Sequence, residues 1–464
     1  MRNIQLLLKK VICIILTVLM FLCSYAQQKT VVKQPNIIFI LTDDMGYGDI
    51  SCFNGRYSTP NIDHIAAEGR MFTNYYSMSP ICSPSRVGFL TGMAPAKWNI
   101  TSFLHERAKN KLCGQADFLN AKAPSIARIL KANGYATGHF GKWHMGGGRD
   151  VYDAPSIKAY GFDEWSSTYE SPDPDPLLTD STWIWSSTDS IKRWNRTAYF
   201  VDRTLTFLKK NKGRPCYVNV WPDDVHTPWV PGEGQVRKYP GTRKEEVSFI
   251  AVLKEYDKQI GRLMEGLKEL GIYENSIIIF ASDNGPFPNF RHDRSANMRG
   301  SKWSLYDGGI RLPLIVRWPH HVPAGTKDTS SVLCSADLLP TFCKIAEVSL
   351  PKNYAGDGED KTAVLMGKPE VRKKAIYWEY GRDSINFEYP HDKNDKSPSM
   401  AIREGKWKLL MNKDRTREEL FDMENDKRET NNVADKEKEI VERLGKKLLA
   451  WWNALPVLID NNKN

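Results

Sequence analysis

Four short apolar runs in this chain each lead into a cluster of polar and charged side chains, and that arrangement constrains the fold more than any other feature. Residues 36–42 run into Asp43-Asp44, residues 135–140 into Gly141-Lys142-Trp143-His144, residues 216–221 towards Asp224 to His226, and residues 276–281 towards Asp283-Asn284. Runs of this length, rich in β-branched residues, suit strands buried on both faces of a parallel sheet. Helical patterns separate them: residues 60–68 with Thr59 as N-cap and Gly69 as stop, then 84–90, 124–132, 197–210 and the long amphipathic stretch 245–270. The alternation predicts an α/β fold with a large, mostly parallel sheet between helices. Ligands gather at the carboxyl ends of strands in such sheets, so the four clusters are predicted to open onto one rim.

At 464 residues the chain is long enough for one large domain and a smaller one. Residues 1–26 read as a signal peptide: Arg2, Lys9 and Lys10 form a basic start, residues 11–22 an apolar run, and Ser24-Tyr25-Ala26 a cleavage site before Gln27. A lipoprotein reading centred on Cys23 is weaker, because bulky Leu22 precedes the cysteine. The apolar run is too short to favour a stable membrane anchor. Export is expected, to a bacterial periplasm first and by eukaryotic secretion as the alternative. Removing the peptide takes three positive charges from a formal net charge of +10. The remaining basic balance suits an anionic substrate.

Six cysteines remain: Cys52, Cys82, Cys113, Cys216, Cys334 and Cys343. No Cys-x-x-Cys pair occurs, which argues against a structural zinc site. Buried apolar thiols are expected at Cys216, Cys334 and Cys343.

Residues 27–350 are expected to form the main domain, with further elements at 314–318 and 336–346. Residues 351–374 are polar and read as a connector. Residues 375–464 then read as a smaller C-terminal subdomain, with antiparallel strands at 375–380, 399–404 and 406–411 and a closing helix at 436–452. The run Ser-Pro-Asp-Pro-Asp-Pro at 171–176 is expected to be a surface loop near the rim.

The clusters carry recognisable chemistry. Asp43, Asp44, Asp283 and Asn284 are all-oxygen donors, suited to a hard divalent ion such as Ca²⁺ or Mg²⁺ rather than zinc. Cys82 stands before a helix whose first turn holds Pro84, where exposed N–H groups and the helix dipole would acidify a thiol. Arg86, one turn on, is expected to face residue 82. Lys142 and His144, two apart in an extended backbone, would enter one pocket.

The segment Pro80-Ile81-Cys82-Ser83-Pro84-Ser85-Arg86, followed by Thr91-Gly92, resembles the signature of the type I sulfatases, Cys-x-Pro-x-Arg followed by Thr-Gly. Gly141-Lys142-Trp143-His144-Met145-Gly146 resembles their second signature, and the likeness extends from Asn36 to about Asn431. The resemblance implies an alkaline-phosphatase-like sandwich. It implies that a maturation enzyme oxidises Cys82 to formylglycine, and that Asp43, Asp44, Asp283, Asn284 and residue 82 hold one Ca²⁺, with Mg²⁺ as the alternative. It further implies that Arg86 and Lys142 stabilise the attack on sulfur, that His226 and Lys302 serve the leaving alcohol, and that His144 removes a proton to expel sulfate. Where the family usually has Glu before the Gly-Gly that follows the distal lysine, this chain has Asp307, read here as structural.

The expected activity is sulfuric ester hydrolysis, exo-acting on a sulfated carbohydrate, with galactose or N-acetylgalactosamine sulfate as the lead. His105, Arg149, Asp150, Glu170 and Asp224 are candidates to contact the sugar, and the Gly146–Asp150 segment to form a flexible wall. No nucleic-acid partner is expected. Two other readings compete: a phosphate or phosphonate ester hydrolase of the same superfamily, and a noncatalytic sugar-binding relative using tryptophans such as Trp143, Trp221 and Trp229 as stacking platforms.

Overall fold

The computed structural model describes residues 34–179, 184–236, 243–290, 292–381 and 386–456, so the expected signal peptide lies outside the described residues. Thirteen strands are formed among them. The first nine are β1 (Asn36–Thr42), β2 (Arg70–Tyr76), β3 (Ala136–Gly141), β4 (Glu164–Ser167), β5 (Cys216–Trp221), β6 (Ser276–Ser282), β7 (Arg311–Arg317), β8 (Thr326–Asp328) and β9 (Leu333–Cys334). They form one sheet in the order β4-β3-β5-β1-β6-β7-β2-β8, with β9 also paired to β2. Every pairing is parallel except β6 with β7 and β7 with β2.

Alternation along the central strand explains the layering. Ile37, Phe39 and Leu41 of β1 pack with the helices Cys82–Thr91, Ile126–Lys131 and Leu338–Ile345. Ile38 and Ile40 pack on the other face with Pro60–Ala67, Arg196–Lys210 and Lys244–Glu269. The side chains of a strand point alternately to opposite faces, so one run of seven buried residues feeds two cores.

Four antiparallel strands follow: β10 (Ile376–Glu379), β11 (Met400–Glu404), β12 (Trp407–Met411) and β13 (Glu419–Asp422). One face buries Met400, Ile402, Leu409 and Met411 against Val441, Leu444 and Leu448 of the helix Lys438–Asn453. The other face packs Trp378, Ala401 and Phe421 with Tyr76, Met78, Ile81 and Cys82 of the main sheet's edge. Trp378 Nε1 donates to Ser77 O at 2.7 Å, fixing that approach.

Between the two sheets lies a buried charge cluster. Lys408 Nζ lies 2.8 Å from Asp307 Oδ1 and 2.7 Å from Glu429 Oε1, while Tyr76 donates to Asp307 Oδ2 at 3.0 Å. Asp307 therefore has the structural place expected of it. Burial, together with the neighbouring Asp307, pushes the Glu429 carboxyl from 4.5 up to about 7, although Lys408 opposes the shift.

Lys408→Met leaves Asp307 and Glu429 buried without their shared cation, and should lower unfolding free energy in urea by about 3–5 kcal/mol. Glu429 binds its proton more tightly in the folded chain, so its contribution is full below about pH 4.5 and is lost as pH rises through about 7. Wild type should therefore lose stability relative to Glu429→Gln across that window.

Candidate active site

Strand direction brings the polar clusters to one edge. The carboxyl ends of β1, β3, β5 and β6 carry Asp43-Asp44, Lys142, Asp223-Asp224 and Asp283-Asn284, and β2 ends five residues before Ile81. The helix beyond it begins at Cys82, two residues earlier than the proline pattern suggested, with Ile81 extended as its N-cap. Residue 82 thus occupies the first helical position. Its thiol is not acidified as expected: burial pushes it up to about 11, against the opposing pull of Lys142 and Lys302. Desolvation of the thiolate outweighs the favourable charges around it.

The carboxylates are fully buried and paired. Lys142 Nζ donates to Asp43 Oδ2 at 2.8 Å, and Lys302 Nζ to Asp44 Oδ2 at 2.7 Å. Burial opposes the charge of Asp43, but its cationic neighbours, Lys142 first and then Arg86 and Lys302, hold its carboxyl well below the usual range. Asp283 differs: burial and the neighbouring Asp43 raise it to about 7 despite Arg86.

Arg86 has more partners than residue 82 alone. Its guanidinium grips Asp283 Oδ2 through Nε at 3.1 Å and Nη2 at 2.8 Å, and donates through Nη1 to Lys142 O at 2.7 Å. Its other face lies over the Trp221 ring, 5.4 Å from the centroid. The group clamps a carboxylate and a strand end, and its charge also acts on residue 82, the residue it was expected to face.

Two oxygens are left over. Asp43 Oδ1 and Asn284 Oδ1 are buried with no hydrogen-bond donor among the described residues. Asp44 Oδ1 accepts from Asn284 Nδ2 at 2.6 Å, and Asp283 Oδ1 from Asp44 N at 3.2 Å, so Asp44, next to Asp43 in the chain, is bonded to both of the other residues. Orphaned anionic and amide oxygens are the chemistry of a site for a hard cation, and the residues fit one. His226 also approaches: ligand atoms of Asp43, Asp44 and His226 lie within 4.8 Å of one another.

The histidines and lysines pair off. His226 Nδ1 meets Thr227 O at 2.5 Å, so that nitrogen carries the proton and Nε2 accepts from Lys302 Nζ at 3.1 Å. Burial and then the charge of Lys302 lower His226, keeping it neutral. His144 has a positive φ of 52°, not the extended backbone expected. It nonetheless shares a carboxylate with Lys142: Glu170 Oε1 is 3.3 Å from His144 Nε2, and Oε2 is 3.8 Å from Lys142 Nζ.

A pocket with an empty volume of ≈ 280 Å³ opens over this group, lined by residues that include Asp43, Lys142, Tyr169, Glu170, Arg193, Asp223 and His226. Of the five sugar-contact candidates, Glu170 lines it directly. Arg149 backs Glu170 at 3.1 Å and meets His105 Nε2 at 3.3 Å. Asp150 lies outward, where it accepts from Arg107 N at 3.0 Å. Asp224 accepts from Thr197 Oγ1 at 2.6 Å, and its neighbour Asp223 faces the pocket instead. Asp223 and Arg193 were missed because nothing in the sequence marks Arg193, 30 residues away, as the partner of Asp223. The glycines 146–148 are packed tightly: a Cβ would meet Phe118 Cβ at 2.2 Å from Gly146 and Pro172 N at 2.2 Å from Gly147. That wall is therefore close-packed, where the sequence suggested flexibility. Trp143 and Trp221 are core residues, which removes them as sugar platforms, and the partly buried Trp229 stacks on Phe290.

Comparison with known proteins places the chain in a family. The family model described as Sulfatase matches residues 35–348, and one described as N-sulphoglucosamine sulphohydrolase, C-terminal, matches 301–453. The chain is 28% identical to an N-acetylgalactosamine-6-O-sulfatase of Bacteroides thetaiotaomicron, over 90% of this chain and 93% of that protein. It is 28% identical to human arylsulfatase A over 83% and 76% of the two chains. Among solved structures, Ps i-CgsB in complex with k-i-k-neocarrahexaose superposes with a TM-score of 0.72 at 26% identity, covering 90% of this chain and 93% of that one.

A divalent cation that takes the two orphaned oxygens binds the folded chain alone. Ca²⁺ at about 100 times its dissociation constant should raise unfolding free energy by about 2.7 kcal/mol. Asn284→Leu should remove most of that increment, read by thermal unfolding with and without chelator.

Proposed function

The chain belongs to the sulfatase family, and from that premise we propose that it is an exported carbohydrate sulfatase in which Cys82, oxidised to formylglycine, attacks sulfur. The observation that carries this reading is the placement of residue 82 at the start of a buried helix, acted on by Lys142, Lys302, Asp43 and Asp283 at once. Formylglycine supplies a hydrated aldehyde whose hydroxyl serves as nucleophile. A divalent ion held by Asp43, Asp44, Asp283 and Asn284, with residue 82, would polarise the sulfate oxygens.

The chain's own groups divide the remaining work. Lys142 is charged, because Asp43 more than offsets its burial, and it offsets negative charge on the sulfate. Lys302 and His226 share one positive charge beside the pocket, placed to meet the charge that develops on the leaving oxygen. His144 is neutral, since burial lowers it to about 3, and a neutral ring can accept the proton whose loss expels sulfate. Arg86 fixes Asp283 and the backbone of Lys142, and its charge also acts on residue 82.

Support for a carbohydrate ester comes from relatives. A bacterial one is named for N-acetylgalactosamine 6-O-sulfate and a solved one is described with an oligosaccharide bound, so N-acetylgalactosamine 6-sulfate is the first substrate to test. The sequence of residues 1–26 supports export, and no helix among the described residues is long and apolar enough to cross a membrane.

The oxidised enzyme should release sulfate from a defined sulfated saccharide, and Cys82→Ala should abolish release. Preference for the matching phosphate ester would overturn the reading in favour of a phosphohydrolase. Lys302→Ala should lower kcat by about 100-fold or more on an alkyl or sugar sulfate, and by less on an aryl sulfate whose leaving group needs less stabilisation.

A further inference from the structure

His144 is held by two acceptors on the same nitrogen. Nε2 lies 3.3 Å from Leu104 O and 3.3 Å from Glu170 Oε1. A carbonyl and a carboxylate cannot donate, so Nε2 must carry the proton. The other nitrogen, Nδ1, is buried and has no partner among the described residues. Leu104 is itself anchored at the reacting end: its N–H donates to Ser83 Oγ at 2.9 Å, on the residue that follows Cys82.

Glu170 is built into this arrangement. Oε1 also takes Arg149 Nη2 at 3.1 Å, and Oε2 faces Lys142 Nζ at 3.8 Å. Behind it, Arg149 lies over the Tyr169 ring, 5.6 Å from the centroid. The carboxylate is thus braced from two sides and has little freedom to leave the imidazole.

We propose that Glu170 is a positioning residue that, with the Leu104 carbonyl, fixes His144 as its Nε2–H tautomer and makes Nδ1 the nitrogen that accepts the proton during sulfate release. The proposal rests on the sulfatase reading and deepens it. In the step concerned, Nδ1 takes the proton of the free hydroxyl on the residue 82 carbon. The O–H electron pair reforms the C=O bond, and the C–O bond to the sulfate breaks with its electrons departing on sulfate. The positive charge then on the imidazole is opposed by the Glu170 carboxylate across Nε2–H, as a carboxylate supports a catalytic histidine elsewhere.

Two measurements test this. In the full chain kept in its cysteine form and labelled with ¹⁵N-histidine, the His144 signals are identified by their loss in His144→Asn. A protonated Nε2 and bare Nδ1 at neutral pH are expected, and an Nδ1–H tautomer overturns the proposal without any substitution at Glu170. In the oxidised enzyme, Glu170→Gln should lower kcat at least about tenfold while KM changes less than about twofold. A raised KM with kcat retained would make Glu170 a substrate contact and overturn its positioning role. If wild type hydrolyses no sulfate ester, the functional reading fails, whereas the tautomer is still judged by the first measurement.

Discussion

Everything at the working edge follows from burying three carboxylates together. Asp43, Asp44 and Asp283 are wholly excluded from solvent, and an isolated buried carboxylate costs far more than a fold can bear. Each is answered by a cation from a different part of the chain: Lys142 after β3, Lys302 in the loop between β6 and β7, and Arg86 on the helix after β2. The pairings tie the ends of four strands, β1, β2, β3 and β6, to one another, so assembling the site and closing the edge are one event. With the Asp283 carboxyl raised to about 7, the three carboxylates do not outweigh the three buried cations. A divalent ion therefore makes it net positive, which is the condition for holding an anionic ester.

The C-terminal sheet belongs to that edge as much as the main sheet does. The loop that delivers Lys302 is pinned from the far side: Gly300 N donates to Asp395 Oδ1 at 2.9 Å, Ser304 Oγ to Asp395 O at 2.6 Å, and Leu305 N to Ser397 Oγ at 2.9 Å. Within the loop the backbone passes so close to itself that only glycine fits. A Cβ on Gly308 would meet Gly300 O at 2.1 Å, and one on Gly309 would meet Ser304 O at 2.0 Å. Shortening Glu to Asp before these glycines suits the same packing, because Asp307 is gripped by Lys408 and Tyr76 at the junction of the sheets.

Much of this was legible because the signals were local. The runs that became β1 and β5 match their predicted bounds, since a continuous apolar stretch flanked by polar residues leaves little choice of ends. β2 was missed: Arg70-Met-Phe-Thr-Asn-Tyr-Tyr mixes polar and aromatic residues, and its strand character comes from pairing with β7 and β8. β13 is only four residues long and exists through its ladder with β12. The same division holds at the site. Residue types and spacing pointed to the cation donors, whereas the partner of Arg86 and the high position of the Cys82 thiol depend on burial and on residues nearly two hundred positions apart.

The pocket poses a problem that its charges resolve. Besides Asp43, two acidic residues, Glu170 and Asp223, line the cavity proposed to take an anion, and unpaired they would repel it. Neither is unpaired. Glu170 is shared among Arg149, Lys142 and His144, and Asp223 lies between Arg193 and Arg196, the latter 2.9 Å away. Burial of an ion pair fixes geometry more reliably than it adds stability. The two carboxylates therefore act as rigid, charge-balanced supports. The histidines show the consequence in opposite senses: Thr227 O holds the proton of His226 on Nδ1, while Leu104 O and Glu170 hold that of His144 on Nε2. Two rings of identical chemistry are thereby given different free nitrogens, one facing Lys302 and one left without a partner among the described residues.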